Sequence, residues 1–409
     1  MREEGIHNHK LQYDALILRF SGEIGIKSRP VRLRLEKRIE EIVKRELTRE
    51  GIKVLGVSKF LGRLIINTPE PIAAIPRLTK VFGISSLSPA LRTSSNLQDI
   101  VEASLRIAKG LLRPGSTFAV KCRRVGSHPY RSPEVCRRVG EAILNGIGRD
   151  VKVNLDEPDT SFSIEVRGAD AYVYVENETI KGPGGFPKGS QGKVLCLLSG
   201  GVDSAVALWL AMKRGCYPLL VYFDNEPYTD DTTTQRAVEV AKKLSEWTQG
   251  FCNRVYLVPH GHNLKEILDR CPRRLTCILC KRMMYRIAEV LADRLGAEGL
   301  LTGEALGEQA SQTLHNLRIL EQAIVKYPVH RPLLGFDKDE THKIARLIGV
   351  YELTARKVKE CTAAPEKPAT MASIEDVLEA EERLDVDTMV RKTFEGIVVR
   401  RLDRDFSGT

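Results

Sequence analysis

Apolar residues fall along this chain in two textures, and the change between them comes near residue 190. In the first half they form short, periodic blocks. The run DALILRF (14–20) reads as a buried strand, and Leu33, Leu35, Ile39, Ile42, Val43 and Leu47 recur at helical spacing through 30–49 with basic residues between them. Segments 53–57 and 63–67 read as strands and 72–81 as a helix. Strand, helix, two strands and helix predict a small α+β sandwich of ferredoxin-like type. After a turn at VFGISSLSPA (81–90), the pattern predicts a helix over 100–112, a strand over 117–123 and a helix over 132–144 opened by Ser-Pro-Glu. Further strands are predicted near 151–155, 161–167 and 171–176.

The Gly/Pro-rich stretch KGPGGFPKGSQG (181–192) is the clearest linker. Beyond it the apolar runs lengthen. KVLCLL (193–198) and YPLLVYF (217–223) suit strands buried on both faces, and between them lie Ser-Gly-Gly, a helix to Lys213 and Gly215 as its stop. Predicted helices at 233–246 and 281–295 alternate with strands at 254–257 and 299–302, which is the pattern of a doubly wound parallel α/β sheet. The predicted units are therefore 1–82, 83–180, a linker 181–192, 193–370 and a helical, mixed-charge tail 371–409 in which no chemistry is read.

Charge sharpens this division. Residues 1–190 hold 32 Lys and Arg against 22 Asp and Glu, whereas residues 191–409 hold 31 of each, so the whole net charge of +10 belongs to the first half. Ten basic and four acidic residues fall within 101–150 alone. Positive charge gathered on one module is the electrostatic footprint of a nucleic-acid binder, though an ordinary basic surface gives the same count. The chain has no run of 18 apolar residues and its start, MREEGIHNHK, has no apolar core, so neither a membrane span nor a secretory signal is expected. Nine cysteines, an odd number, argue against a disulfide framework and for a reducing cytoplasm.

The segment carrying the chemistry is Ser199-Gly200-Gly201-Val202-Asp203-Ser204, set between a buried strand and a helix. Two glycines let successive N–H groups turn towards an anion, the helix start adds partial positive charge, and Ser199 and Ser204 add hydroxyl donors. A carboxylate beside a phosphate is repulsive unless it serves a cation, so Asp203 is expected to help hold Mg²⁺ or orient an adenylation step. No G-x-x-x-x-G-K-[ST] loop occurs; the look-alike at 182–190 has Pro187 before Lys188 and no strand leading in.

SGGVDS after a strand resembles the pyrophosphate loop of ATP pyrophosphatases. With ILRFSGEIGIKSRPVR (17–32), KGPGGFPKGSQGKVLCLLSGGVDS (181–204), CKRMMYRIAEVLA (280–292), TGEALGEQASQTLHNL (302–317) and RPLLGFDKDE (331–340), the chain resembles the tRNA 4-thiouridine synthetases, a family also linked to thiamine thiazole synthesis. Val202 and Ala205 depart from the Ile and Pro of many members but leave the glycines, Asp203 and Ser204 intact. The resemblance implies a ferredoxin-like domain, a THUMP RNA-binding domain and a PP-loop pyrophosphatase domain. It implies ATP near Leu197, Leu198, Ser199, Gly200, Gly201, Asp203, Ser204, Tyr222, Phe223, Lys281, Gly303 and Gln312, with Lys338 near the phosphates. Leu197, Leu198, Tyr222 and Phe223 read equally as sheet core. The resemblance further implies tRNA as partner, a sulfur donor (sulfide or a cysteine desulfurase) and the homodimer that members often form.

Six cysteines (Cys122, Cys136, Cys196, Cys216, Cys252 and Cys271) read as ordinary core thiols. Cys277-Ile278-Leu279-Cys280 differs, since a cytosolic CxxC suggests metal, cluster or redox work. His260 and His262 lie at least 15 residues upstream without ligand spacing. Cys361, in KECTAAPEKP, matches a position where the family carries a functional cysteine. The sequence runs 48 residues past it, short for the rhodanese domain of many bacterial members, so sulfur is expected to arrive otherwise. By resemblance Cys277, Cys280 and Cys361 would hold an iron–sulfur cluster, with a disulfide or persulfide relay and a structural zinc as the other readings. Arg123, Arg124, Arg131, Arg137 and Arg138 are the candidate RNA contacts, and the SHPY segment (127–130) a candidate for base stacking. Together these readings predict an ATP-dependent tRNA sulfurtransferase making 4-thiouridine, at position 8 by family analogy. Thiolation of a carrier protein or another uridine is the alternative within the class, and a THUMP RNA-binding protein without turnover the alternative outside it.

Overall fold

The computed structural model describes residues 13–147, 150–248 and 253–402 and divides the chain into two units, 1–187 and 188–409. The first unit contains β1 (Ala15–Phe20), β2 (Gly56–Phe60), β3 (Arg63–Asn67), β4 (Ile84–Ser94), β5 (Thr117–Val125), β6 (Lys152–Val153), β7 (Thr160–Arg167), β8 (Asp170–Val175) and β9 (Ile180–Lys181). They form one sheet in the order β2-β3-β1-β4-β8-β7-β5-β6, with β9 added to β4. Period-two alternation explains the sandwich on its ferredoxin-like side. Leu16 and Leu18 of β1 face the helices Arg29–Arg49 and Pro71–Leu78, while Ala15 and Ile17 join Ile65, Tyr172 and Tyr174 on the other face. The helices Leu97–Leu111 and Ser132–Ile147 bury Ile100, Ile107, Val135 and Val139 against Phe118, Phe162 and Ile164.

β4 corrects the sequence reading. The expected turn at 81–90 is mostly strand: Ile84–Ala90 run antiparallel to β1 and Leu91–Ser94 continue antiparallel to β8. Ser85, Ser86, Ser88 and Pro89 hid its apolar alternation. Its two halves make the ferredoxin-like and following parts a single sheet. A buried charge network ties the same parts together: Glu165 of β7 accepts from Arg63 Nε of β3 at 2.8 Å and from Arg167 at 2.7 Å. Glu165 is 2% exposed, and although burial opposes its charge, the two guanidinium groups hold its pKa below the usual carboxylate value.

The second unit contains β10 (Lys193–Leu197), β11 (Tyr217–Asp224), β12 (Arg254–Pro259), β13 (Leu300–Leu301), β14 (Val329–His330) and β15 (Val398–Arg401). Their order is β14-β13-β10-β11-β12-β15, parallel throughout except for β15, which lies antiparallel on β12. Helices Val202–Lys213, Asp231–Ser245, Gly261–Arg270 and Thr276–Leu295 form the crossovers, and Gly215 turns the chain into β11 with φ +92°. The expected doubly wound α/β class is thus present. The C-terminal segment, expected as a helical tail, is instead part of this unit. Its helices Ile374–Glu382 and Val386–Glu395 bury Val377, Ala380 and Met389 in the common core, and Glu381 accepts from the buried Arg282 at 2.7 and 2.8 Å. Among the described residues no helix is long and apolar enough to cross a membrane.

Candidate active site

β10 is followed by β11 on one side, whereas its other neighbour, β13, comes only after the crossovers through β11 and β12. An open α/β sheet binds ligands at the carboxyl ends of the strands beside such a reversal. Ser199–Ser204 sits there. Gly200 has φ +76°, and a Cβ on it would stand 3.0 Å from the backbone N and Cα of Ala237, so glycine is required twice over. Gly201 caps the helix Val202–Lys213 without a side-chain acceptor, which leaves the first N–H groups open to an anion. The serine hydroxyls hold the loop's shape: Ser204 Oγ accepts from Ser199 N at 3.1 Å, donates to the Gly201 carbonyl at 3.1 Å and lies 3.0 Å from Ser199 Oγ. Gly303, just beyond β13, rests on the start of this helix so closely that a Cβ would come 2.4 Å from Ser204 N.

Asp203 and Lys338 meet across this loop, with Asp203 Oδ2 3.5 Å from Lys338 Nζ. Lys338 Nζ also donates to Glu308 Oε2 at 2.5 Å. Sequence reading missed Glu308, although it lies in the TGEALGEQ motif. Burial pushes the Asp203 pKa up; Lys338 opposes and Glu308 reinforces the rise. Burial works to lower Lys338, but Glu308 and Asp203 outweigh it and hold the ammonium above its ordinary value. Asp203 Oδ1 is buried without a hydrogen-bond partner among the described residues. Lys338 owes its position to a capping box, in which Asp337 and Glu340 fix the start of the helix Lys338–Ile348.

Leu197, Leu198, Ser199, Tyr222 and Phe223 line one cleft of about 480 Å³, together with Asn225, Thr229, Thr233, Arg236, Met284, Gln309 and residues 358–361. Tyr222 donates to Thr233 Oγ1 at 3.2 Å, which sets its ring in the cleft wall. Among the described residues Asn225 Oδ1, Thr229 Oγ1 and Arg236 Nε are buried without partners, and unsatisfied polar atoms on a cleft wall point to a polar ligand. These three were not foreseen; their signal was position alone, at the carboxyl end of β11 and on the following helix. Lys281, Gly303 and Gln312 do not line this cleft. Lys281 is engaged by Glu304 at 3.0 Å, and Gln312 is buried with Oε1 unpartnered among the described residues. Glu304 is a second unforeseen carboxylate, receiving also Tyr285 at 2.7 Å, Arg331 at 2.8 Å and Thr302 at 3.1 Å. Burial would raise it, but Lys281 and Arg331 dominate and lower its pKa to about 2.

Cys277 and Cys280 share one face of the helix Thr276–Leu295, three residues apart, and Met284 on the same face reaches the cleft. Cys361 lines the cleft directly. Burial first, then the neighbouring cysteines, pushes the Cys277 and Cys280 thiols up. Among the described residues no three Cys, His, Asp or Glu side chains are gathered around a common metal-ion position. His260, which sequence spacing had set aside, lies with Nε2 3.4 Å from Cys280 Sγ. Cys122, Cys136, Cys196, Cys216 and Cys271 form no disulfide among the described residues, and Cys252 lies outside them.

In the first unit Arg123, Arg131, Arg137 and Arg138 are exposed, on β5, before the helix Ser132–Ile147 and on that helix. Arg137 pairs with Glu141 at 2.9 Å. Arg124 is half-buried and donates to the Gly126 carbonyl at 3.0 Å. The SHPY segment is not an open stacking platform: Tyr130 is buried, bonded to the Ser95 carbonyl and stacked on His128.

Comparison with known proteins identifies the family. Residues 189–386 match the family described as thiamine biosynthesis protein (ThiI), residues 94–176 the THUMP domain and residues 15–88 the ThiI ferredoxin-like domain. A "probable tRNA sulfurtransferase" of Methanosarcina acetivorans is 39% identical over 96% of this chain and 94% of its own length. Another, from Methanothermobacter thermautotrophicus, is 36% identical over 94% of this chain and 97% of its own. The crystal structure of a 4-thiouridine synthetase–RNA complex with bound ATP superposes with a TM-score of 0.86 at 30% identity, covering 95% of this chain and 99% of that one.

Proposed function

The chain belongs to the ThiI family of tRNA sulfurtransferases, and on that premise we propose that it activates a tRNA uridine with ATP and replaces its O4 by sulfur, giving 4-thiouridine. One observation carries the reading: a single cleft is lined both by Ser199 of the phosphate loop and by Cys361, which supports adenylation and sulfur delivery at one site. Oxide is a poor leaving group at neutral pH. Attack of O4 on the α-phosphorus makes that oxygen part of a phosphate and releases pyrophosphate. Sulfur then bonds to C4, and the C4–O bond breaks as AMP leaves.

Each chain residue has a part in this sequence. Leu197, Leu198, Tyr222 and Phe223 form the wall for the adenosine, with Asn225, Thr229 and Arg236 offering it unpaired polar atoms. The Gly200 N–H and the helix start stabilise charge developing on pyrophosphate, while the Gly201 N–H is held by Ser199 Oγ at 3.3 Å. Lys338 adds a cation beside them, while Glu308 keeps it in place. Lys281, held by Glu304, and Gln312 and Gly303 shape the loop's surroundings. Asp203 has a free, buried carboxylate oxygen suited to Mg²⁺, which when bound would neutralise phosphate charge.

Cys277 and Cys280, three residues apart on one helix, and Cys361 on the cleft wall offer three soft thiol donors of the kind an iron–sulfur cluster takes. Cys277, Cys280 and Cys361 would hold it, and when bound it would supply an iron open to sulfide. Iron and sulfide in anaerobically purified protein, both lost in Cys277→Ala, test that part; a colourless, zinc-loaded wild type would overturn it. The donor would be sulfide or a cysteine desulfurase. Arg123, Arg131, Arg137 and Arg138 would hold the tRNA backbone, with Arg124 shaping their strand. The cysteines, without a disulfide among the described residues, suit a cytoplasmic setting. The reaction itself is tested by Asp203→Ala, which should abolish tRNA-dependent pyrophosphate release while tRNA affinity stays close to wild type; undiminished release would contradict the assignment.

A further inference from the structure

Behind Cys280 runs a chain of hydrogen bonds that ends in the C-terminal helix. His260 is wholly buried and set edge-on to Phe223, with ring centroids 5.6 Å apart. Its Nε2 is 3.4 Å from Cys280 Sγ, and its Nδ1 is 3.2 Å from Asn263 Nδ2. Asn263 Nδ2 also donates to Thr393 Oγ1 at 2.9 Å, and Thr393 Oγ1 donates to the Met389 carbonyl at 2.9 Å. The order of these bonds assigns the protons. Having given its hydrogen to the Met389 carbonyl, the Thr393 hydroxyl accepts from its other two neighbours, Asn263 and His262 Nε2 at 3.2 Å, so the amide NH₂ is the group that faces Thr393 and His260. His260 Nδ1 must then accept, and a neutral imidazole carries its one hydrogen on Nε2, facing Cys280. Turning the amide over would set its oxygen against the Thr393 oxygen with no hydrogen between them.

We propose that His260, oriented through Asn263 and Thr393, is a positioning residue that donates its Nε2–H to the Cys280 sulfur and stabilises negative charge there during sulfur transfer. The proposal rests on the reading of Cys280 as a working sulfur ligand. An N–H aimed at such a sulfur fixes its orientation and favours the more negative state of whatever it ligates. It also gives the helix Val386–Glu395 a task beyond packing, since Thr393 sets the direction of the donor.

Two measurements decide it. Nitrogen-15 NMR of histidine-labelled protein should find His260 as the Nε2–H tautomer; an Nδ1–H tautomer overturns the proposal whether or not iron is present. In protein with measured iron and sulfide, His260→Leu should shift the midpoint potential to more negative values, and His260→Gln, whose amide can still donate, should recover most of that shift. An unchanged potential in iron-replete His260→Leu would overturn the role. Absence of iron from the wild type is a separate result, which counts against the cluster and leaves the tautomer measurement to decide the donor.

Discussion

Gly303→Ala tests whether the phosphate loop is held by backbone contact. A Cβ at this position would stand 2.4 Å from Ser204 N and 2.6 Å from both the Asp203 carbonyl carbon and Ser204 Cα. Ordinary contact begins at 3.4 Å, so one segment must retreat by about 1 Å. All three atoms are backbone, and no side-chain rotation can relieve the clash. The segment that moves carries Asp203 and the loop's N–H groups. A misplacement of about 1 Å in reacting geometry costs roughly 10²-fold in rate, or about 2.7 kcal/mol of transition-state stabilisation. Pyrophosphate release with saturating ATP and unmodified tRNA should therefore fall about 100-fold in kcat. Filter binding should leave the tRNA Kd within about twofold, because the candidate RNA contacts lie in the other unit. Wild-type kcat in folded Gly303→Ala protein would refute the reasoning, as would a parallel loss of tRNA affinity.

Other predictions concern charge. Glu304 has its folded pKa at about 2 against an ordinary 4.5, so its contribution to stability is complete above about pH 4.5 and is lost as the pH falls towards 2. That contribution is on the order of 3 kcal/mol, and Glu304→Gln should flatten the acid limb of an unfolding-against-pH curve; an unaltered limb would contradict it. Replacing Arg131, Arg137 and Arg138 by Ala should reduce the slope of log Kd against log salt by about one for each phosphate no longer neutralised, without changing kcat at saturating tRNA. Arg124→Ala, whose guanidinium is bonded within its own turn, should lower the melting temperature more than the salt slope. A full salt-slope effect from Arg124 alone would reverse that ranking.

Much of the fold was legible because its signals are local. The long apolar runs of β10 and β11, the helix start after Gly201 and the stop at Gly215 each follow from a few adjacent residues. β4 was not legible, since serines and a proline replaced its alternation, and only pairing with both β1 and β8 makes it a strand. The C-terminal segment failed for a related reason: its role depends on distant partners, Arg282 for Glu381 and Asn263 for Thr393. At the site, the glycine loop, Asp203 and Lys338 could be found by motif and resemblance. Glu304, Glu308 and His260 could not, because a carboxylate or imidazole announces no task until its neighbours across the fold are known. Cys280 and His260 are 20 residues apart in sequence yet 3.4 Å apart in space.

The central claim is that this chain thiolates tRNA by way of adenylation. Nucleoside mass spectrometry of unmodified tRNA, incubated anaerobically with reconstituted protein, Mg-ATP and sulfide, tests it most directly. The account predicts 4-thiouridine in the complete mixture and none when ATP is omitted. A folded, iron-replete protein that releases no pyrophosphate and forms no 4-thiouridine would contradict it.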